Sequence, residues 1–165
     1  MIRPATPEEA EAVALVHIET WRVAYEHVFP REELERFSAE RVERRAEMHR
    51  RSPPLVAEAN GEIVGFASVG PAVDTDADGE LYAIYVLPAH WGTGFGRALI
   101  QAGEDRLREL GHQQAVLWVL EDNPRARRFY ELAGWDTDGE RKAEERWGVR
   151  APEVRYRKRF TSSRS

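Results

Sequence analysis

The chain contains no cysteine and no long hydrophobic run. The absence of cysteine among 165 residues excludes a thiol nucleophile, a disulfide framework and a thiolate metal site. No apolar stretch approaches the ~20 residues needed to span a bilayer, and the first residues lack a signal-peptide pattern. We therefore expect a cytoplasmic protein that does not associate with membranes.

The chain also lacks an excess of positive charge, since 29 acidic residues against 24 Lys and Arg give a formal net charge of -5 at pH 7. Nucleic-acid binding is disfavoured because a phosphate backbone requires a basic face. The five histidines show no spacing typical of metal ligands, so we expect no metal. The length and the 42% apolar content predict one domain, residues 1–160, followed by a disordered tail, residues 161–165.

Helical and strand patterns alternate along the chain and predict an α/β protein. Apolar residues at helical spacing mark two helices before residue 52, and two apolar runs flanking Asn60-Gly61 predict a hairpin. The Arg-rich stretch 41–51 is interleaved with glutamate, which is typical of a solvated helix face. The order predicts a mixed sheet with helices on its faces. Strands are predicted at 2–5, 55–59, 62–69, 80–87, 115–120, 135–138 and 154–160; helices at 7–24, 31–51 (with a restart at Ser38), 98–110 and 124–133; and loops at 70–79 and 139–148.

The most informative motif follows the strand at 80–87. Pro88 ends this strand, and Gly92, Gly94 and Gly96 then alternate up to the start of a helix. Glycine lets a ligand come close to the backbone, and the first amides of a helix have no partners inside the helix. The positive end of the helix dipole adds to their attraction for anions. The motif therefore predicts a site for a phosphate or pyrophosphate.

This glycine pattern differs from two familiar nucleotide motifs. A dinucleotide fold has GxGxxG near the start of a βαβ unit, whereas here Arg97 occupies the position of the third glycine and the motif follows a hairpin. A P-loop requires Gly-Lys-Ser/Thr, which the sequence lacks. An enzyme that uses another phosphate cofactor remains open as an alternative, and it predicts stabilisation by ATP or NAD.

A second motif, residues 121–135, completes a resemblance to the GNAT superfamily of N-acetyltransferases, which use acetyl-CoA. Residues 91–96 are similar to the family pattern Gln/Arg-x-x-Gly-x-Gly/Ala, with Trp91 in the first position. Residues 123–135 are similar to Asn-x-x-Ala-x-x-x-Tyr-x-x-x-Gly-Phe, with Trp135 for Phe. The resemblance covers nearly the whole chain. It implies the GNAT acyltransferase fold, a mixed, mostly antiparallel twisted sheet flanked by helices.

The resemblance also implies how acetyl-CoA is held. Backbone amides of the glycine turn would bind the pyrophosphate, and the pantetheine arm would lie where the strand 80–87 splays from the strand 115–120. Val86 would be a backbone partner of the arm and Asn123 would lie beside it, although on local grounds Asn123 is simply a helix N-cap. The cofactor-binding residues implied by the family are Val86, Trp91, Gly92, Thr93, Gly94, Phe95, Gly96, Arg97 and Asn123.

The implied reaction is direct attack of a primary amine on the thioester in a ternary complex. Tyr130 is at the position of the family's usual general acid, and a phenol of ordinary pKa about 10 suits protonation of a thiolate. Glu80 is the candidate general base, acting through water, and a solvated strand-end glutamate is the alternative. No covalent enzyme intermediate is expected because neither cysteine nor an activated serine is evident.

The first helix supplies the candidates for acceptor binding. His17, Trp21 and Tyr25 follow one another at intervals of four and share a helix face. One interpretation is that these three side chains pack in the core. The resemblance implies another, because in the family the first two helices form the acceptor wall: the three side chains would hold a cationic or apolar acceptor. The expected acceptor is a small-molecule or protein amine, and the sequence is compatible with a homodimer. The alternative function is a catalytically silent CoA-binding sensor or interaction module.

Overall fold

Seven strands and four α-helices make up the part of the chain that the structure, a computed structural model, describes. The described residues are 1–27, 29–73, 78–146 and 149–160, with side chains undescribed at 24, 25, 37–40, 144–146 and 149. None of the described helices is long and apolar enough to cross a lipid bilayer. In chain order the elements are β1 (Ile2–Pro4), α1 (Ala10–Tyr25), α2 (Arg31–Arg51), β2 (Leu55–Ala59), β3 (Glu62–Pro71), β4 (Gly79–Val86), α3 (Phe95–Glu109), β5 (Gln114–Leu120), α4 (Pro124–Leu132), β6 (Asp136–Arg146) and β7 (Val149–Arg159).

The strands form one mixed sheet in the order β1-β2-β3-β4-β5-β7-β6. Antiparallel ladders join β1 to β2, β2 to β3, β5 to β7 and β6 to β7. β4 and β5 are parallel, and their ladder consists of the pairs Gly79↔Ala115 and Glu80↔Val116. The predicted fold class, a mostly antiparallel mixed sheet flanked by helices, is confirmed.

The chain divides into two compact units, of which the first comprises Met1–Ser68 and Ala83–Ala102. Apolar residues of α1, β2 and β3 form its core because their alternating or helically spaced side chains fall on one face. A seam of alanines brings α1 and α2 together, since small side chains allow close helix contact. The core residues are Ala5, Val13, Val16, Val56 and Phe66, with Ile63, Ala83, Tyr85 and Leu87 packed against them, and the seam consists of Ala10, Ala14 and Ala46.

The second unit comprises Val69–Tyr82 and Gly103–Ser165. Its largest fully buried side chains include Leu107, Leu117, Trp135 and Tyr156. The buried carboxylate of Glu104 accepts from Lys158 Nζ at 2.7 Å and from the indole N–H of Trp135 at 3.3 Å. Burial of this charge is tolerated because it is both paired and hydrogen-bonded.

The two N-terminal helices lie close to the ranges that the sequence predicts. The Thr6 backbone N–H donates to the Glu9 carboxylate at 2.9 Å, as expected of a capping box, and a 3₁₀ turn, Pro7–Glu9, precedes α1. α2 is continuous from Arg31 to Arg51, so the restart expected at Ser38 does not occur.

The stretch 139–148, predicted as a loop, is largely strand. β6 continues to Arg146 and pairs with β7, which begins at Val149 rather than at the predicted residue 154. The prediction was wrong because charged residues conceal the strand pattern. β6 is the last strand of the sheet, and charged side chains are characteristic of edge strands. Lys142 and Glu153 face each other across the hairpin with their charged atoms 3.7 Å apart. Residues 147–148 and the predicted tail, 161–165, lie outside the described residues.

The charged stretch 41–51 has an exposed face, as predicted, and also a narrow buried stripe. Ala46 and His49 are buried, whereas Arg50 and Arg51 are exposed. Spacings of three and four residues place Val42, Ala46 and His49 on one face of α2. The many surrounding charges had concealed this narrow stripe.

Candidate functional site

The glycine turn between β4 and α3 has a backbone that only glycine adopts without strain. Gly92 has φ +76° and Gly94 has φ +93°, both in the left-handed region. A Cβ at either position would meet nothing within 4 Å, so the backbone conformation and not crowding requires glycine there. Gly96 already lies in the first turn of α3, whose first hydrogen bond runs from the Ala98 N–H to the Gly94 carbonyl at 3.0 Å.

The start of α3 is open to solvent. Residues 91–94 and Arg97 are exposed, and the 15-residue helix α3 begins at Phe95. The first amides of such a helix lack carbonyl partners four residues earlier, and the helix dipole is positive at this end. With no side chain above Gly92 and Gly94, these amides are accessible to an oxygen anion of the size of a phosphate.

Trp91 fastens the glycine turn to the end of β4. Its indole N–H donates to the carbonyl oxygen of Val86 at 2.7 Å, while its side chain remains 38% exposed. The Thr93 hydroxyl donates to the carbonyl of His90, and the His90 ring meets the Phe95 ring edge-on at 5.8 Å. A pantetheine arm that used the Val86 carbonyl would therefore have to share it with Trp91.

Gly65, which the sequence analysis did not single out, supports the same strand end. A Cβ on Gly65 would lie 2.9 Å from the Tyr85 carbonyl oxygen, 3.1 Å from Leu99 Cδ1 and 3.2 Å from Val86 Cγ2. β3, β4 and α3 thus meet at a point where only a hydrogen atom fits. A glycine inside a strand pattern is a recognised signal of such a close approach.

The candidate acceptor residues belong to two groups of aromatic rings. His17 lies against Phe66 and Tyr85, with ring centroids 5.3 and 5.1 Å away, and 5.8 Å from His49. Trp21 instead stacks on Phe29 at 6.2 Å. The side chain of Tyr25 lies outside the described residues. We call His17, His49, Phe66 and Tyr85 the histidine cluster.

Both imidazoles of the histidine cluster are buried and neutral. His17 is 7% exposed and His49 is 2% exposed. Burial, followed by the positive charge of Arg45, lowers the pKa of His17 to about 3 and that of His49 to about 4. His17 Nδ1 and His49 Nε2 have no hydrogen-bond partner.

Glu80 lies at the start of β4 and is buried. Its Oε1 accepts from the backbone N–H of Val73 at 3.0 Å, which ties the chain that follows β3 to β4. Burial, followed by the negative charge of Glu80, raises the pKa of Tyr82, whose hydroxyl donates to the Pro71 carbonyl. Glu80, the candidate general base, therefore also stabilises the fold through this hydrogen bond.

The second family motif forms the start and the body of α4. Asn123 is the N-cap, since its Oδ1 accepts from the Ala126 N–H at 3.1 Å. Tyr130 is 8% exposed and lies between the rings of Phe129 and Tyr156, at centroid distances of 5.4 and 6.2 Å.

Polar contacts that the sequence did not reveal hold α4 against β7. The fully buried Tyr156 accepts from Arg127 Nε at 3.0 Å and donates to Glu131 Oε2 at 2.6 Å. Arg127 also donates to the Glu121 carbonyl at 3.1 Å. Residues 127, 130 and 131 lie on consecutive turns of one helix, so these bonds fix the rotation of α4 and with it the direction of Tyr130.

Comparison with known proteins identifies a family. The profile of the Acetyltransferase (GNAT) family matches residues 15–135. The chain is 34% identical over 126 residues to "Uncharacterized N-acetyltransferase YuaI" of Bacillus subtilis, an alignment that covers 74% of this chain and 73% of the relative. It is 41% identical over 85 residues to a mycothiol acetyltransferase of Sanguibacter keddieii, covering 49% of this chain but only 27% of that enzyme.

Solved structures share the fold. A PaiA N-acetyltransferase of Thermoplasma acidophilum, in complex with coenzyme A, superposes with a TM-score of 0.71 at 20% identity, covering 97% of this chain and 98% of that one. YncA of Salmonella typhimurium, a putative acetyltransferase with its cofactor acetyl-CoA, gives 0.70 at 20% identity, covering 100% of this chain and 96% of the other.

Proposed function

The chain belongs to the GNAT family of N-acetyltransferases, and we propose that it moves the acetyl group of acetyl-CoA to a primary amine by direct attack in a ternary complex. The observation that carries the proposal is the glycine turn. Its two left-handed glycines carry no side chain and have open space around them, so that the backbone at the start of α3 can approach a pyrophosphate. The coenzyme A bound by structural neighbours supports the choice of cofactor.

The residues of the turn fit the phosphate end of CoA. The amides of residues 92–97 would hold the pyrophosphate, and Trp91 would keep them in place through its bond to Val86. Because the indole N–H is already used within the protein, Trp91 serves the turn and leaves anion binding to the backbone. Val86 and Asn123 are the proposed contacts for the arm.

The proposed chemistry distributes two proton transfers between two side chains. Acetyl-CoA supplies the activated thioester. As the amine nitrogen bonds to the carbonyl carbon, the C–S bond breaks, and Tyr130 donates its phenolic proton to the departing sulfur. Glu80, through water, would take the proton that the amine loses. The aromatic side chains of His17, Trp21 and Tyr25 are the proposed acceptor contacts, and the acceptor is a small-molecule or protein amine.

Thermal unfolding in the presence of acetyl-CoA, CoA, ATP and NAD tests the cofactor. A ligand that binds only the folded state adds about 2.7 kcal/mol at one hundred times its dissociation constant. We expect stabilisation by the two CoA species and none by ATP or NAD. The absence of a shift with either CoA species would contradict the proposal.

Tyr130→Phe tests the general acid. We expect kcat to fall about 10²- to 10⁴-fold while CoA affinity is unchanged, because the proposed role of the hydroxyl is in the transfer step and not in binding CoA. Tyr82→Phe, which removes a hydroxyl bonded to the Pro71 carbonyl, is the matched control. Full turnover in Tyr130→Phe would exclude the assigned role. CoA binding without turnover of any amine by the unmodified protein would favour the CoA-binding sensor instead.

A further inference from the structure

The two unpartnered nitrogens of the histidine cluster require an explanation. Within the described residues they are the buried side-chain polar atoms that lack a hydrogen bond, and both belong to side chains more than nine-tenths buried. A buried polar atom without a partner destabilises the fold, so such atoms usually mark the position of a ligand or of an internal water. Their proximity, with ring centroids 5.8 Å apart, suggests one shared partner.

The electrostatic field at the pair favours an oxygen anion. Among the described residues, Arg45, one turn before His49 on α2, carries a positive charge that lowers the pKa of both imidazoles. Burial and this charge hold the pKa of His17 at about 3 and that of His49 at about 4, so both rings are neutral near pH 7. A neutral imidazole carries one N–H, and either nitrogen can bear it. The cluster can thus present two N–H donors in a positive field, which attracts a carboxylate and repels an ammonium.

The cluster lies beside the strand that is proposed to contact the cofactor. His17 packs against Tyr85, the residue immediately before Val86 on β4. Neighbouring strand residues point to opposite faces, so the cluster and the Val86 side chain lie on opposite sides of β4. The alanine seam holds α1 and α2 together at this place, which brings His17 of the first helix near His49 of the second.

We infer that His17, His49 and Arg45 form a subsite for a carboxylate group of the acceptor. The inference rests on the proposed acetyl transfer and deepens it, because it makes amino carboxylic acids the acceptor class and disfavours polyamines. A polyamine would instead bring a second ammonium towards Arg45.

Binding of small probes tests the subsite without requiring activity. Isobutyrate, isobutyramide and isobutylamine have nearly the same shape and carry a negative charge, no charge and a positive charge. We expect isobutyrate to shift the imidazole NMR signals of His17 and His49 and to raise their pKa values, and isobutylamine to leave both unchanged. His17→Leu and His49→Leu remove the donors but keep an apolar filling, so folding is retained, and each should abolish the response. His27→Gln, at an exposed histidine, is the matched control.

Acceptor kinetics test the substrate class. We expect an amino acid to have a KM about 10- to 100-fold lower than its amide, and His49→Leu to remove that ratio. The KM of a dipeptide, measured in the same assay, distinguishes an acceptor that is a free amino acid from one whose carboxylate belongs to a longer chain. Equal KM values together with no response to isobutyrate would overturn the inference, and the pair would then hold only an internal water. A response to isobutyrate in a protein that CoA does not stabilise would instead uphold the subsite and reject the proposed function.

Discussion

The indole N–H of Trp91 donates a 2.7 Å hydrogen bond to the carbonyl oxygen of Val86, and so joins the glycine turn to β4. In the family pattern that residues 91–96 resemble, this position carries glutamine or arginine; in this chain its side chain is hydrogen-bonded to the protein's own backbone. The bond occupies the only hydrogen-bond donor of the indole. We therefore propose that backbone amides, and not this side chain, bind the phosphates.

Trp91→Phe removes this hydrogen bond and keeps an aromatic ring. We expect a loss of about 1 kcal/mol in the free energy of unfolding and a several-fold weaker CoA affinity, because the turn is less well held. Urea unfolding and calorimetric CoA titration measure the two effects. If Trp91→Ala abolished CoA binding while circular dichroism stayed unchanged, the dominance of the amides would be refuted.

Gly92→Ala and Gly94→Ala place a side chain on a left-handed backbone. Each should cost about 1–2 kcal/mol of stability. Each should also weaken CoA binding, because the Cβ would occupy the open space above the amides. Gly111→Ala is the matched control, since Gly111 has φ +92° with nothing within 4 Å but ends α3 at its other terminus. Gly111→Ala should lose a similar amount of stability and keep its CoA affinity. An equal loss of CoA affinity in all three variants would contradict the placement of the CoA site at the glycine turn.

Gly65→Ala forces a methyl group against the Tyr85 carbonyl. We expect a loss of about 1–3 kcal/mol, because a backbone oxygen at 2.9 Å cannot move away cheaply. Gly103→Ala is the control, since its Cβ would meet a Val69 methyl group at 3.3 Å and alanine favours the helix. Urea unfolding measures the stability of both variants. Equal stabilities would contradict the close approach described at Gly65.

Acidification should destabilise the fold through His17 and His49. Their pKa values, about 3 and about 4 in the folded protein, lie below the ordinary value near 6.5, so the unfolded chain binds more protons. Their contribution is complete above pH 6.5 and is lost as the pH falls towards 4, by up to about 1.4 kcal/mol per pH unit for each histidine. Urea unfolding between pH 5 and 7.5 measures the slope. His17→Leu and His49→Leu should flatten it, whereas an unchanged slope would show that other groups are responsible.

Glu80→Gln separates the two tasks assigned to Glu80. The amide oxygen of glutamine can still accept from the Val73 N–H, so stability should be nearly unchanged, whereas Glu80→Ala should cost about 1–3 kcal/mol. If Glu80 is the general base, kcat of Glu80→Gln should fall, and the pH profile of the variant should lose its acidic limb. A glutamine variant with the full kcat and the original profile would leave Glu80 a purely structural residue.

The sequence predicted the order of elements because the signals there are local. The hairpin at Asn60-Gly61, the capping box at Thr6 and the glycine turn each depend on a few neighbouring residues. The start of β6 was predicted, but its continuation from residue 139 to Arg146 was missed because an edge strand does not need apolar alternation. The burial of His49 was missed because it depends on α1, which is distant in sequence.

The candidate site was predicted in part for the same reason. The positions of Gly92 and Gly94 follow from a motif, but no motif shows that Trp91 bonds to Val86 or that Glu80 bonds to Val73. Both bonds depend on where a side chain points after folding. Whether His17 and Trp21 bind an acceptor remains a prediction, and the structure adds that they have different ring partners.

The pairing of β1 with β2 has a kinetic consequence. Ile2 lies opposite Ala57, so this ladder closes a loop of more than fifty residues, and the ion pair of Arg3 with Glu58 joins the same two strands. The β6–β7 hairpin, in contrast, joins neighbouring segments and can form within about 1–10 μs. Closing a long loop has a large entropic barrier, which contacts made afterwards must repay. We therefore expect the N-terminal strand to join the sheet late in refolding, after α1 and α2 have shortened the segment between its partners.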